Sequence, residues 1–224
     1  AQFVADEVGK KVTHDFRNYD MQKGGLGAPL VPEFHKYLFA EPNKRKVIFN
    51  IGGISNGTYL NGDIIKIASD VGPGNCLIDL VTMREFNLPY DEDGKIAAKG
   101  MIDQHLLNSL LDKIRTKDYP RADDKSFYYN LDELKSGKPE DLLATLCELT
   151  ALCICDFYNS FSMSSEILLH GGGTKNNFLM KRLEKNIGTS FKLTDYIISS
   201  KFVESAAFAY LAFLGRGFLV EPRR

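Results

Sequence analysis

The chain has 224 residues, 44% of them hydrophobic, and its 28 Lys and Arg nearly cancel its 29 Asp and Glu, for a formal net charge of −1. That is enough apolar material for one large domain, or for one domain with part of another. The balance removes a bulk electrostatic case for nucleic acid or an anionic membrane as partner, and no apolar run approaches the roughly 20 residues that cross a bilayer.

Residues 1–12 read as a helix with Phe3, Val4, Val8 and Val12 on one face. A short polar connection leads to Gly24-Gly25-Leu26-Gly27-Ala28-Pro29, whose composition suits a loop held close against something. Residues 33–40 read as a short helix with Pro32 favourable near its start. The polar break at 41–45 is the best domain boundary.

Residues 46–75 carry most of the chain's glycine chemistry. Val47-Ile48-Phe49, Thr58-Tyr59-Leu60 and Ile64-Ile65-Lys66-Ile67 predict three strands. Gly52-Gly53 with Ser55-Asn56-Gly57, and Asn61-Gly62, supply the turns. The stretch closes in Asp70-Val71-Gly72-Pro73-Gly74-Asn75, read as a loop opening directly onto a helix at Cys76–Phe86. Glycine turns expose backbone N–H groups, and a helix start adds the positive end of its dipole, so both suit an anion. Each loop alone reads more simply as a tight turn; two on consecutive strands point to a ligand site.

Beyond this, Asp91, Glu92 and Asp93 read as a solvated turn, because calcium-loop spacing is not met. Residues 95–116 predict a helix or helix pair, and 118–138 a broken polar stretch. Residues 139–161 predict a buried helix, apolar almost all round, with the carboxylate of Glu148 in its middle. A strand at Glu166–His170 runs into Gly171-Gly172-Gly173, Asn176 and a helix at 178–186. This unit has neither dinucleotide-fingerprint nor Walker spacing. A short strand at 191–194 and an alanine-rich helix at 202–214 complete the order. Cys76, Cys147, Cys153 and Cys155 lack metal-site spacing and read as small buried hydrophobes of a reducing cytosol, with no metal site expected.

Three strands followed by alternating helices and strands predict an α/β fold with a mixed, ribonuclease-H-like sheet. Several motifs then align in order. They are Asp15-Phe16-Arg17 with Gly24-Gly25-x-Gly27-Ala28-Pro29, Asn50-Ile51-Gly52-Gly53-Ile54-Ser55-Asn56, Asp70-x-Gly72-Pro73-Gly74-Asn75, the Gly171–Gly173 run with Asn176, and Val203-Glu204. Together they resemble the anhydro-N-acetylmuramic acid kinase family of the actin-like ATPase and sugar-kinase superfamily. Leu26 stands where the family has Gln and Val71 where it has Thr. A Lys-Ser-Thr-Gly-Arg-Glu-like segment is reduced to Lys125-Ser126-Phe127-Tyr128, and the family's Gly-Thr-Ser-x-Asp-Gly phosphate loop has no counterpart.

The resemblance implies two parts: residues 1–45 as the tail end of a first lobe, and 46–224 as a second, nucleotide-binding lobe. It implies a cytoplasmic enzyme that uses ATP and Mg²⁺ to open the 1,6-anhydro ring of its sugar and phosphorylate the 6-oxygen. In it Asp15 is the catalytic base, with Asp20 the runner-up, and Glu148, Gly25 and Gly27 face the sugar. Gly52, Gly53, Asn56, Asp70, Gly72, Gly74 and Asn75 take phosphate, and Gly172, Gly173 and Asn176 line the adenosine side. It also implies a homodimer or a separate first-lobe fragment as partner. Without that fragment the chain is expected to be nearly inactive, with Phe3, Val8 and Phe34 exposed; the alternative is an inactive nucleotide- or sugar-binding remnant.

Overall fold

The five-stranded sheet grows out of residues 45–73. In this computed structural model, which describes every residue except Ser136, Tyr196 and Arg224, β1 spans Val12–His14, β2 Arg45–Ile51, β3 Ile54–Asn61 and β4 Ile64–Pro73. Strands β5 (Glu166–His170), β6 (Phe191–Leu193) and β7 (Phe218–Val220) follow. The helices are α1 (Gln2–Val8), α2 (Phe16–Gln22), α3 (Pro32–Phe39), α4 (Cys76–Phe86), α5 (Gln104–Ile114), α6 (Lys125–Tyr129), α7 (Pro139–Phe157), α8 (Asn177–Ile187) and α9 (Val203–Phe213).

The large sheet has the order β4-β3-β2-β5-β6. β2, β3 and β4 pair antiparallel, while β2–β5 and β5–β6 pair parallel, so the sheet is mixed. β2 lies centrally and is buried from Lys46 to Ile51, which is why it reads as a near-continuous apolar run. Alternate side chains go to opposite faces. Val47, Phe49 and Ile51 join the main core with α4, α5, α7 and α8, whereas Ile48 packs with Leu60, Leu168 and Phe39 of α3.

Several local expectations change. α1 ends at Val8 because Gly9 adopts a left-handed cap (φ 61°), and Val12 belongs to β1 instead. Phe3 and Val8 are exposed, at 74% and 55%, whereas Phe34 is buried against Val31, Val203 and Ala207. Of residues 95–116 only Gln104–Ile114 is α-helical, started by the Asp103 carboxylate accepting the Leu106 N–H at 3.0 Å. The helix predicted over 139–161 stops at Phe157 and passes into a π-turn over Tyr158–Ser162. Asp91 is buried rather than solvated, since its carboxylate accepts the Ile96 and Ala97 N–H groups at 2.8 and 2.9 Å.

The end of the chain returns to its beginning. β7 pairs antiparallel with β1, matching Val12 to Val220 and His14 to Phe218, and α9 packs on α3. The last elements, read from sequence as part of the second lobe, thus lie against residues 1–45.

Candidate functional site

Strands β2 and β3 meet at Gly52-Gly53, beyond the last ladder pair, Ile51 with Ser55. The segment after β4 lies directly on this turn. The N–H groups of Gly74 and Cys76 donate to the Gly53 carbonyl at 3.0 Å each, and the Asn75 N–H donates to the Gly52 carbonyl at 2.8 Å. Those donors, expected from sequence to face an anion, are spent on the neighbouring turn. A Cβ on Gly74 would stand 2.1 Å from the Gly52 carbonyl oxygen, so only glycine fits. Asp70 and Gly72 lie within β4 rather than in a loop, where Val71 is the extra residue of a bulge between the Ser55–Gly72 and Asn56–Asp70 pairs. A Cβ on Gly72 would meet Cys153 of α7 at 2.8 Å. Gly72 and Gly74, expected to touch phosphate, are therefore occupied with chain packing.

Two cavities flank this junction. One, of about 370 Å³, is lined by Arg17, Gly27, Gly52, Gly53, Asn56, Asp70, Lys125, Glu204 and neighbours. The other, of about 410 Å³, is lined by Asn75, Ile78, Asp79, Tyr90, Gly172, Lys175, Asn176 and the acids 91–93. Asn75 joins them: its N–H holds the Gly52 carbonyl, and a Cβ on Gly172 would lie 3.8 Å from its Nδ2. The three glycine segments, far apart in sequence, thus meet around Asn75 at the ends of β2, β4 and β5, with one cavity on either side of the junction. Gly173 lies behind it, since its Cβ position is 2.2 Å from Ile51 Cγ2. Asn176 caps α8, its side chain accepting the Leu179 N–H at 3.0 Å.

The first cavity is acidic on one wall. Asp70 is buried and accepts the Asp123 N–H at 2.8 Å. Burial pushes its carboxyl up to about 6, the Asp123 charge adding and Arg121 and Arg17 opposing. Asp123 is itself taken by Arg121 at 3.2 Å, Lys117 at 3.1 Å and the Tyr128 hydroxyl at 2.5 Å. Asn56 Oδ1 and Ser55 Oγ are buried and lack a partner among the described residues. An ionisable carboxylate beside orphaned oxygens is a hard-donor set. Among the described residues no group of three or more His, Cys, Asp or Glu could hold a metal ion alone. Mg²⁺ ordinarily takes one or two carboxylates and completes its shell with phosphate and water, so Asp70 and Asn56 fit it as partial donors.

Other expected site residues sit elsewhere. Asp15 begins α2 in a left-handed conformation (φ 52°), exposed, and both its carboxylate oxygens accept from Asn18 Nδ2 at 2.9 Å. It lines neither cavity. Asp20 holds the glycine loop, accepting the Gly27 N–H on its carboxylate at 2.8 Å and the Gly25 N–H on its carbonyl at 3.0 Å. Gly27 reaches the first cavity and Gly25 packs against the Asp20 carboxylate. Glu148, expected to hold a sugar hydroxyl, instead pairs α7 to α8. It accepts from Arg182 at 2.5 and 3.0 Å and from Asn186 at 3.0 Å, and lines neither cavity.

Lys125, Arg17 and Glu204 line the first cavity and were not singled out from sequence as site residues. Arg17 and Glu204 belong to the motifs above. Lys125 opens the reduced Lys125-Ser126-Phe127-Tyr128 segment noted above, and it follows Asp124, whose carboxylate accepts the Ser126 N–H at 2.7 Å in a helix-start pattern.

The family model described as Anhydro-N-acetylmuramic acid kinase matches residues 1–216. The chain is 39% identical over 227 residues to the anhydro-N-acetylmuramic acid kinase of Aliivibrio fischeri, covering 95% of this chain and 60% of that protein. It is 39% identical over 222 residues to the one from a Shewanella species, strain MR-4, covering 93% and 59%. The chain thus spans about 60% of the length of the curated relatives it matches. Among solved structures it is similar to the activator of the 2-hydroxyisocaproyl-CoA dehydratase from Clostridium difficile with bound ADPNP. That likeness has TM-score 0.54 and 15% identity, over 84% of this chain and 66% of that one. It is also similar to xylulose kinase from Rhodospirillum rubrum, with TM-score 0.50 and 11% identity, over 86% and 44%. These likenesses place the mixed sheet in the actin-like ATPase and sugar-kinase fold class, and the match across residues 1–216 shows that the chain belongs to the anhydro-N-acetylmuramic acid kinase family.

Proposed function

We propose that this chain supplies the nucleotide-binding lobe, and one edge of the sugar site, of an ATP-dependent kinase. The reaction opens the 1,6-anhydro ring of anhydro-N-acetylmuramic acid and phosphorylates its 6-oxygen. The observation that carries this reading is the pair of cavities on either side of Asn75, one lined by the Gly52-Gly53 turn and the other by Gly172 and Asn176. The first cavity takes the phosphates and the second the adenosine. Clefts at strand ends of open α/β sheets are where such ligands bind.

Asp70 and Asn56 would hold Mg²⁺, which screens phosphate charge when bound. Phosphoryl transfer depends chiefly on positioning and on stabilising charge from both sides of the cleft. Here Lys125 and Arg17 bring positive charge to the cavity wall, which the Gly27 loop and Glu204 also line. Asp15 serves as the base for the attacking water once a first lobe orders the edge beside it, which requires it to exchange Asn18 for the water.

A second reading, a nucleotide-binding remnant without activity, is favoured by the exposure of Asp15 and its absence from the cavity wall. The experiment is ATP-dependent phosphorylation of anhydro-N-acetylmuramate by the 224-residue chain, with and without a separately made segment matching the remaining part of a relative. Turnover that needs both chains and is lost in Asp15→Asn supports the kinase reading. ATP binding without turnover in either case supports the remnant. No ATP binding by the chain overturns both.

A further inference from the structure

We propose that Lys125 is the cation that holds the outer phosphates of the nucleotide over the Gly52-Gly53 turn. The inference rests on the nucleotide reading above and adds a positioning residue to it. Lys125 is the first residue of α6, whose start is fixed by the Asp124 cap. It lines the cavity, and a Cβ built on Gly53 would lie 2.8 Å from both its Cε and its Nζ. The ammonium therefore stands directly over a turn that has no side chain to intervene.

Among the described residues Lys125 is exposed and makes no ion pair or hydrogen bond. Its neighbours are placed differently: Lys117 and Arg121 are both engaged by Asp123. A carboxylate is nearby in Asp79, close enough to feel the Lys125 charge, yet the two are not paired. The positive charge thus faces a cavity that Asp70 and Asn56 also line. A di- or triphosphate with its divalent cation complements both: phosphate oxygens meet the ammonium, and the cation meets Asp70 and Asn56. An ammonium with three rotatable donors suits a terminal phosphate that changes position during transfer.

The test is calorimetric titration of the full chain with MgADP and, separately, with adenosine. In Lys125→Met, MgADP affinity is expected to fall about tenfold to a hundredfold, the scale of one lost hydrogen bond to a charged group. Adenosine affinity is expected to stay unchanged, and Lys125→Arg to recover most of the MgADP loss. Equal loss for adenosine and MgADP would mean that Lys125 only supports the fold, and overturns the proposal. Unchanged MgADP affinity in Lys125→Met, with the unmodified chain binding normally, overturns this proposal alone. An unmodified chain that binds neither ligand overturns the nucleotide reading and this inference with it.

Discussion

His35 and His170 meet through their Nε2 atoms at 2.9 Å, and both rings are buried. One nitrogen must donate and the other accept, so the contact exists only while at least one ring keeps a bare nitrogen. His35 Nδ1 also lies 2.9 Å from Thr58 Oγ1. The pair joins α3, which follows the Gly27 loop, to the end of β5, which precedes the Gly171 loop, and so ties two edges of the cleft together.

Acid should break this tie. Burial lowers both imidazoles, His35 well below its ordinary value with the His170 charge adding, and His170 to about 4 with Asp195 opposing. For a depressed histidine the stabilisation is present above the unfolded value near 6.5 and is lost as pH falls through the folded value. Denaturant unfolding of the wild-type chain should therefore weaken from pH 6.5 toward pH 4. A His35→Gln, His170→Gln double variant should show a flatter acid limb; an equally steep one would exclude the pair as its source.

Asp70 runs the other way. Its carboxyl is raised to about 6 by burial, so its contribution is fully present below the unfolded value near 3.8 and is lost as pH rises through about 6. Asp70→Asn removes the buried charge while an amide oxygen can still accept the Asp123 N–H. The variant should be more stable than wild type at pH 8, by on the order of 2 kcal/mol, with the difference vanishing near pH 4. Paired unfolding curves at the two pH values decide it. Nucleotide affinity in the presence of Mg²⁺ should fall in the same variant, a stability gain set against function.

Glu148 tests the division between site and scaffold. Glu148→Ala leaves the Arg182 guanidinium, largely covered between α7 and α8, without its carboxylate. A loss of about 2–4 kcal/mol in unfolding free energy is expected. MgADP affinity should not change at temperatures where the variant is folded. Intact stability, with ligand binding lost, would return Glu148 to the site.

Gly74→Ala places a methyl 2.1 Å from a backbone oxygen that cannot swing aside. The Gly52-Gly53 turn must move, and its hydrogen bonds from Gly74, Asn75 and Cys76 must lengthen or break. We expect a drop of several °C in the melting temperature together with weaker MgADP binding, since a destabilisation of about 1 kcal/mol shifts a domain of this size by roughly 2–4 °C. Melting curves recorded with and without MgADP check both parts.

How much of this was legible follows from distance along the chain. The β2–β3–β4 meander was readable because Asn61-Gly62 and Gly52-Gly53 mark turns between β-rich runs a few residues apart. The β1–β7 pair was not, because two three-residue strands separated by nearly the whole chain carry no local signal of each other. The burial of Phe34 is hidden for the same reason: its cover, Val203 and Ala207, lies far downstream. Asp91 looked solvated among other acids because a sequence shows charge but not the N–H groups that a carboxylate caps. In the candidate site, the glycine motifs come together around Asn75, but which glycines border a cavity depends on neighbouring backbones. Gly72 and Gly74 are spent on Cys153 and Gly52, and Lys125 reaches the cavity only through the path of the chain between β4 and α6.

The β1–β7 pairing makes residues 2–14 and 218–223 one unit. Gln2 Nε2 donates to the Glu221 carbonyl at 2.8 Å, Arg223 forks onto Asp6 at 2.7 and 2.9 Å, and the three ladder pairs lie between these contacts and α2. Opening of either segment must release the other, so amides of residues 12–14 and 218–220 should exchange with solvent at a common rate. The two segments behave as a buckle, and deleting residues 218–223 should loosen α1 as surely as deleting α1 would loosen β7.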